Sequence, residues 1–197
     1  MTETFDLILE RYNKYNKYSN EWLLKEIETK QFEYLYFYDL DPEGILAKGC
    51  FCQWYLSDFV IDGVTYSSAE KYMMAMKAKI FNDEEIFQQI MATDDQAKAK
   101  GLGRLVKNFD FTVWEKYRMS IIFNGNVAKF SQNEQLKQFI LNTQNKVLVE
   151  ASDDDAIWGI GLDEKQAEQC SPKEWKGTNL LGYTLMAVRD YLMENKK

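Results

Sequence analysis

A chain of 197 residues with 46% hydrophobic and 15% aromatic side chains has enough apolar material for one sizeable core. It contains no histidine, which excludes Ser/His and Cys/His nucleophile systems and histidine-based metal sites. The net charge of −7 argues against broad nucleic-acid binding, and no run approaches the ~20 apolar residues that span a bilayer.

Residues 1–30 read as a helical appendage, and residues 31–197 as a single α+β domain, rich in helix with a small β-sheet. The opening Met1–Asp6 lacks the features of a signal peptide. The appendage carries a tandem repeat, Tyr12-Asn13-Lys14 then Tyr15-Asn16-Lys17, and runs into a helix predicted near 20–28. Aromatic density predicts a strand over 32–38, followed by a turn at Asp41-Pro42-Glu43-Gly44. A second β-prone stretch at 51–55 precedes a hairpin, Phe59-Val60-Ile61 to Val64-Thr65-Tyr66, turning at Asp62-Gly63. Helical spacing then predicts segments near 68–81, 83–91, 94–107, 112–126 and 133–142. Val147–Glu150 is a β-branched strand, a glycine-rich loop follows, and a last helix covers 179–193. Cysteine is sparse and odd in number, at 50, 52 and 170, as expected in a reducing cytoplasm. Cys50-x-Cys52 has no second ligand pair for zinc, so neither a metal nor a cofactor is called for. Nothing in the pattern speaks to oligomeric state.

The helix over 68–81 carries an anomaly. On a helical wheel, Glu70 and Lys77 fall within the arc of Ala69, Met73, Met74, Met76, Ile80 and Phe81, whereas Lys71 and Lys79 point the other way. Seven residues separate them by about 10 Å, too far for an i,i+4 ion pair. Two opposite charges aimed inward across a gap suggest the ends of a polar pocket. Ser67-x-x-Glu70 also fits a capping box, a role compatible with the first, and the positive helix end there favours an ionised carboxylate. Lys77 could instead snorkel from the edge of the core.

Two further groups stand out. Glu150–Leu162 places acidic residues, Trp158 and two glycines, Gly159 and Gly161, directly after a strand. There a loop brings backbone close to a flat ligand, or simply forms a solvated acidic turn beside a core tryptophan. As a calcium loop it fails, because Ile157 and Trp158 occupy the fifth position and the obligatory glycine position. Gly159-x-Gly161-x-x-Glu164 also misses the third glycine of the dinucleotide fingerprint. Arg104, Arg118 and Lys129 fit either an anionic ligand or structural salt bridges. Asn179 opens the last helix as an N-cap, where free N–H groups could also receive a phosphate.

Taken in order, Ser68-Ala69-Glu70-x-Tyr72-Met73-Met74-Ala75-x-Lys77-Ala78, Gly103-Arg104-x-Val106, Ala128-Lys129-Phe130-Ser131-Gln132-Asn133, Leu148-Val149-Glu150-Ala151-Ser152, Asp155-x-x-Trp158-Gly159-Ile160-Gly161-Leu162 and Trp175-x-Gly177-x-Asn179-Leu180-Leu181-Gly182 resemble the NADAR, or YbiA-like, family. The resemblance extends from about Phe32 to Leu192 and implies a YbiA-like fold and an N-glycosidase. Family members hydrolyse the bond between ribose phosphate and base in early riboflavin-pathway intermediates. Other branches are associated with ADP-ribose, including its removal from nucleic-acid bases. Carried onto this chain, the resemblance implies a catalytic pair, Glu70 and Asp155. Lys77, Lys129, Trp158, Gly159, Arg104 and Asn179 become substrate contacts. The implied substrate is a small ribosyl phosphate, with neither nucleic acid nor membrane as a partner. The alternatives are an ADP-ribosyl hydrolase acting on modified guanine and a non-catalytic NAD or ADP-ribose binder. Lys71 and Met76 stand where the family often has histidine and glutamine, and Met76 leaves substrate preference open.

Overall fold

The computed structural model describes residues 5–40 and 45–195. In chain order its elements are α1 (Phe5–Asn13), α2 (Asn20–Glu26), β1 (Tyr34–Phe37), β2 (Phe59–Ile61), β3 (Val64–Tyr66), α3 (Ala69–Ile80), α4 (Glu84–Met91), α5 (Gln96–Gly103), α6 (Phe111–Gln132), α7 (Glu134–Leu141), β4 (Val147–Glu150), α8 (Glu164–Glu168) and α9 (Leu180–Glu194). The fold is α+β and rich in helix. The turn expected at 41–44 lies outside the described residues.

The chain gathers into two compact units, one from the described residues of 1–14 with 53–134, the other from 15–52 with 135–195. Residues 1–30, expected as one appendage, are shared between them. In the first unit α1 packs on α6, burying Ile8 and Tyr12, and Arg11 Nη1 donates to Asn124 Oδ1 at 2.9 Å. In the second, Leu23 of α2 is fully buried.

The first unit is built around α3, which contacts α4, α5, α6 and β3. Two glycines allow that crowding. A Cβ on Gly103 would lie 2.0 Å from Met74 Sδ, and one on Gly125 would lie 2.6 Å from the Tyr72 ring. A helix packed on so many sides does not keep a polar face, and nine of its twelve residues are buried. Each helix start from α3 to α6 uses a short polar side chain to accept an orphan N–H, from Ser68, Asp83, Asp95 and Asp110 respectively. The β2–β3 hairpin turns at Asp62 and Gly63, with φ of 51° and 77°, the left-handed pair that a two-residue turn requires. Gln132 closes the edge of β2: its side-chain amide exchanges two 2.8 Å hydrogen bonds with the Val60 backbone. By contrast, a Cβ on Gly101 of α5 would meet nothing within 4 Å. Gly101→Ala is expected to raise stability by about 0.5–1 kcal/mol, read as a higher urea midpoint at unchanged slope.

The second unit holds a parallel pair, β1 and β4, registered Tyr34 to Val147 through Phe37 to Glu150. Thus the small sheet expected is two separate two-stranded sheets, one in each unit. Helix α9 packs on β4. The stretch 51–55, expected to be β-prone, instead follows a 3₁₀ turn at Lys48–Phe51 that buries Cys50 and Phe51. Helix α6 runs six residues past the predicted end, because burial of Val127, Ala128, Lys129 and Phe130 carries it beyond the poor helix formers Asn124, Gly125 and Asn126.

Candidate functional site

Ser68, not Ser67, caps α3: its hydroxyl accepts from Lys71 N at 3.1 Å. The capping box therefore falls away, since the third helical position is a lysine and Glu70 is the second. Ser67 Oγ turns instead to Asp94 at 2.9 Å. The Glu70 carboxylate takes no part in the cap, yet the residue is only 3% exposed. Its backbone N–H is also fixed, donating to Gln53 O at 2.9 Å.

Around this helix start the first unit concentrates buried polar groups. Asn126 Nδ2 donates to Gln53 Oε1 and to Ile122 O, both at 2.9 Å. The other ends of those two amides, Gln53 Nε2 and Asn126 Oδ1, are buried and meet no hydrogen-bond partner. Lys129, one turn along α6 from Asn126, is completely buried, with its ammonium 5.3 Å from the Tyr55 and Phe130 ring centroids. The Tyr72 hydroxyl is engaged elsewhere, accepting from Asn124 Nδ2 at 2.8 Å. Gln53, Tyr55 and Asn126 escaped the sequence reading. The available signal was the Asn-Gly-Asn run inside a long helix, where asparagine is costly unless its amide is used.

Lys77 and the two other lysines of α3 depart from the wheel. Lys71, expected outside, is 5% exposed and reaches Asp94 Oδ1 at 2.9 Å, which holds the Asp94 carboxyl below the usual range. Lys79 is part-buried, 4.6 Å from the Phe87 ring centroid. Lys77 is part-buried too, its ammonium 4.4 Å from the Phe109 ring centroid and 5.6 Å from that of Trp114. Desolvation pushes its pKa down, Arg104 adds to that, and Glu70 opposes it. Arg104 is an exposed residue at the end of α5, not the inward-facing cation expected. Arg118 bridges to Glu115 at 3.5 Å along its own helix.

The remaining expected residues belong to the second unit. Asp155 Oδ1 accepts the N–H groups of Ile157 and Trp158, both at 2.8 Å, and so shapes its own loop. Trp158 is part-buried. Gly159 serves close backbone packing: a Cβ there would lie 2.8 Å from Asp155 O and 2.9 Å from Glu150 O. Asn179 stands at the N-cap position of α9 with φ of 50° and makes no side-chain cap bond. Its amide instead bridges β4, accepting from Glu150 N and donating to Leu148 O, both at 3.0 Å. Among the described residues no cluster of three or more Cys, Asp or Glu is arranged to hold a metal.

The NADAR domain profile matches residues 36–193. The chain belongs to the NADAR domain family. Within it, the chain is 41% identical over 169 residues to an N-glycosidase of Acanthamoeba polyphaga mimivirus, covering 83% of this chain and 98% of that one. It is 32% identical over 141 residues to the N-glycosidase YbiA of Escherichia coli, covering 69% and 76%. The solution structure of E. coli YbiA superposes with a TM-score of 0.68 at 28% identity, covering 85% of this chain and 89% of YbiA. A riboflavin biosynthesis protein of Vibrio vulnificus is 30% identical over 162 residues, covering 82% of this chain and 39% of that protein. In this NADAR chain Glu70 is a buried carboxylate at the start of α3.

Proposed function

We propose that this chain, an N-glycosidase of the NADAR family, hydrolyses the N-glycosidic bond of ribosylamino-pyrimidine 5′-phosphates. The observation that carries the reading is Glu70, a carboxylate buried in the first turn of α3 but spared from capping it. A carboxylate is rarely taken out of water at a helix start for packing alone. Cleaving the C–N bond leaves the sugar ring with positive charge, and water must then add to the anomeric carbon. An ionised Glu70, favoured by the positive end of the helix, stabilises that charge or takes the proton from the attacking water. The leaving amine carries away the bonding electron pair and gains a proton, so the products are ribose 5-phosphate and the free aminopyrimidine.

Lys129 supplies the fixed cation of the same unit and is assigned to the phosphate or ribose; Lys77 and Arg104 are secondary candidates. The name of the Vibrio relative supports the riboflavin-pathway substrate, and that of the E. coli relative the N-glycosidic bond. Asp155 and Trp158 belong to the second unit and carry no step of this proposal. Three free cysteines suit the cytoplasm that the proposal assigns it. Among the described residues, no helix is long and apolar enough to cross a membrane.

The test is a product assay with the ribosylamino-pyrimidine phosphate beside ADP-ribosylated DNA. Release of the free base from the first substrate alone is the expected result. Turnover of the second alone transfers the chain to the ADP-ribosyl branch, and turnover of neither overturns the reading. Lys129→Met is expected to lower kcat/KM by about a hundredfold, because a desolvated cation that meets an anionic substrate group is worth several charge-assisted hydrogen bonds. Steady-state kinetics on folded protein, checked by circular dichroism, measures that loss.

A further inference from the structure

A cleft of about 760 Å³ lies wholly within the second unit, a volume typical of small-molecule sites. It is bordered by α2, the segment entering β1, the turn before β4 and the later turns of α9. One side is an aromatic wall. Tyr18 and Trp22 meet edge to face at 4.8 Å between centroids, and Trp22 meets Phe32 likewise at 5.8 Å. Arg189 also borders the cleft, although it is only 3% exposed. Its Nη1 donates to Thr143 Oγ1 at 2.8 Å and Lys146 O at 2.9 Å, both neutral acceptors. Its Nε–H is buried and has no acceptor.

The carboxylates bordering the cleft are already engaged. Glu26 is paired with Lys30, and Glu33 with Lys146 at 3.0 Å. Asp190 Oδ2 accepts from the Tyr18 hydroxyl and meets Lys17, both at 2.7 Å. An incoming anion therefore faces neutralised carboxylates and one guanidinium with donor capacity to spare. Burial lowers the Arg189 pKa, with Tyr18 and Asp190 acting in the opposite sense, so a bound anion would relieve a desolvated charge. A buried donor without an acceptor is uncommon in native proteins and calls for a partner.

We propose that this cleft binds a small flat aromatic anion, its acidic group on the Arg189 guanidinium and its ring on the Tyr18–Trp22–Phe32 wall. The planar fork suits a carboxylate or a phosphate, and the aromatic wall supplies the apolar area that a bare ion does not use. The proposal does not depend on the chemistry assigned to Glu70.

The experiment is a titration of the ¹⁵N-labelled full chain followed by NMR at the Arg189 Nε–H and the Trp22 indole N–H. The probes are benzoate, its neutral isostere benzamide, and inorganic phosphate. Benzoate is expected to shift both signals saturably, with benzamide and phosphate each weaker by about tenfold or more. Arg189→Lys, which keeps the charge and loses the fork, is expected to weaken benzoate by a similar factor. If that variant does not fold, Trp22→Leu is expected to weaken benzoate without matching loss for phosphate. Absence of a saturable benzoate shift overturns the proposal, as does equal binding of benzamide or of phosphate.

Discussion

Glu70→Gln is expected to lower the rate of N-glycosidic hydrolysis by about a hundredfold to a thousandfold, the scale set by removing one preorganised electrostatic group from a water-poor site. Glutamine keeps the volume and hydrogen-bonding capacity of the side chain but neither stabilises a cationic sugar ring nor accepts a proton from water. Because Ser68 makes the α3 cap, the substitution leaves the helix start intact. The thermal midpoint should therefore stay close to that of the parent chain, and substrate should still bind. Single-turnover kinetics with calorimetric binding separates these effects. Unchanged turnover in the folded variant sinks the catalytic assignment, and tight binding of ADP-ribose unaffected by the change, with no riboside turned over, makes the chain a binding module instead.

The largest expected effect on stability is Gly182→Ala. A Cβ at this position would lie 2.1 Å from Leu148 O and within 2.7 Å of both polar atoms of the Asn179 amide. Neither neighbour can give way. Leu148 O belongs to a strand of a parallel pair, and the Asn179 amide holds Leu148 O and Glu150 N together. The methyl group must therefore push α9 off β4 and break both amide bonds, at a cost of about 3 kcal/mol or more. For a chain of this size that corresponds to a fall in thermal midpoint of roughly 10 °C. Differential scanning calorimetry measures it, with Gly101→Ala as the contrasting substitution, since the space there is open. A midpoint within a degree of the parent would refute the close-approach account.

Local signals in the sequence were legible where local physics decides the outcome. Asp62-Gly63 encodes its hairpin because few other pairs accept two left-handed conformations. Val147–Glu150 reads as a strand because a β-branched run buried on both faces has little alternative. The helix starts at 83 and 110 carry aspartates that cap them. Less legible was the amphipathic reading of α3. It assumed one buried face, whereas close packing against α4, α5 and α6 buries Lys71 as well as Glu70. The wheel thus selected Glu70 partly for a reason that does not hold, and the ordered family motifs gave the firmer one. Asn179 shows the same limit. Its position before the last helix was readable as a cap, but its left-handed backbone aims the amide at β4.

By itself the sequence determined the class of chemistry open to this protein and the family it belongs to. Without histidine, acid–base work falls to groups such as carboxylates, and the spaced motifs from Ser68 to Gly182 form a signature that survives without coordinates. Only the tertiary structure decided which charges are buried and what they are bound to. Exposure and hydrogen bonding depend on partners far away along the chain: Gln53 with Asn126, Lys71 with Asp94, Arg189 with Thr143. Spacing along one element does not encode those pairings, because they arise when separate elements pack together.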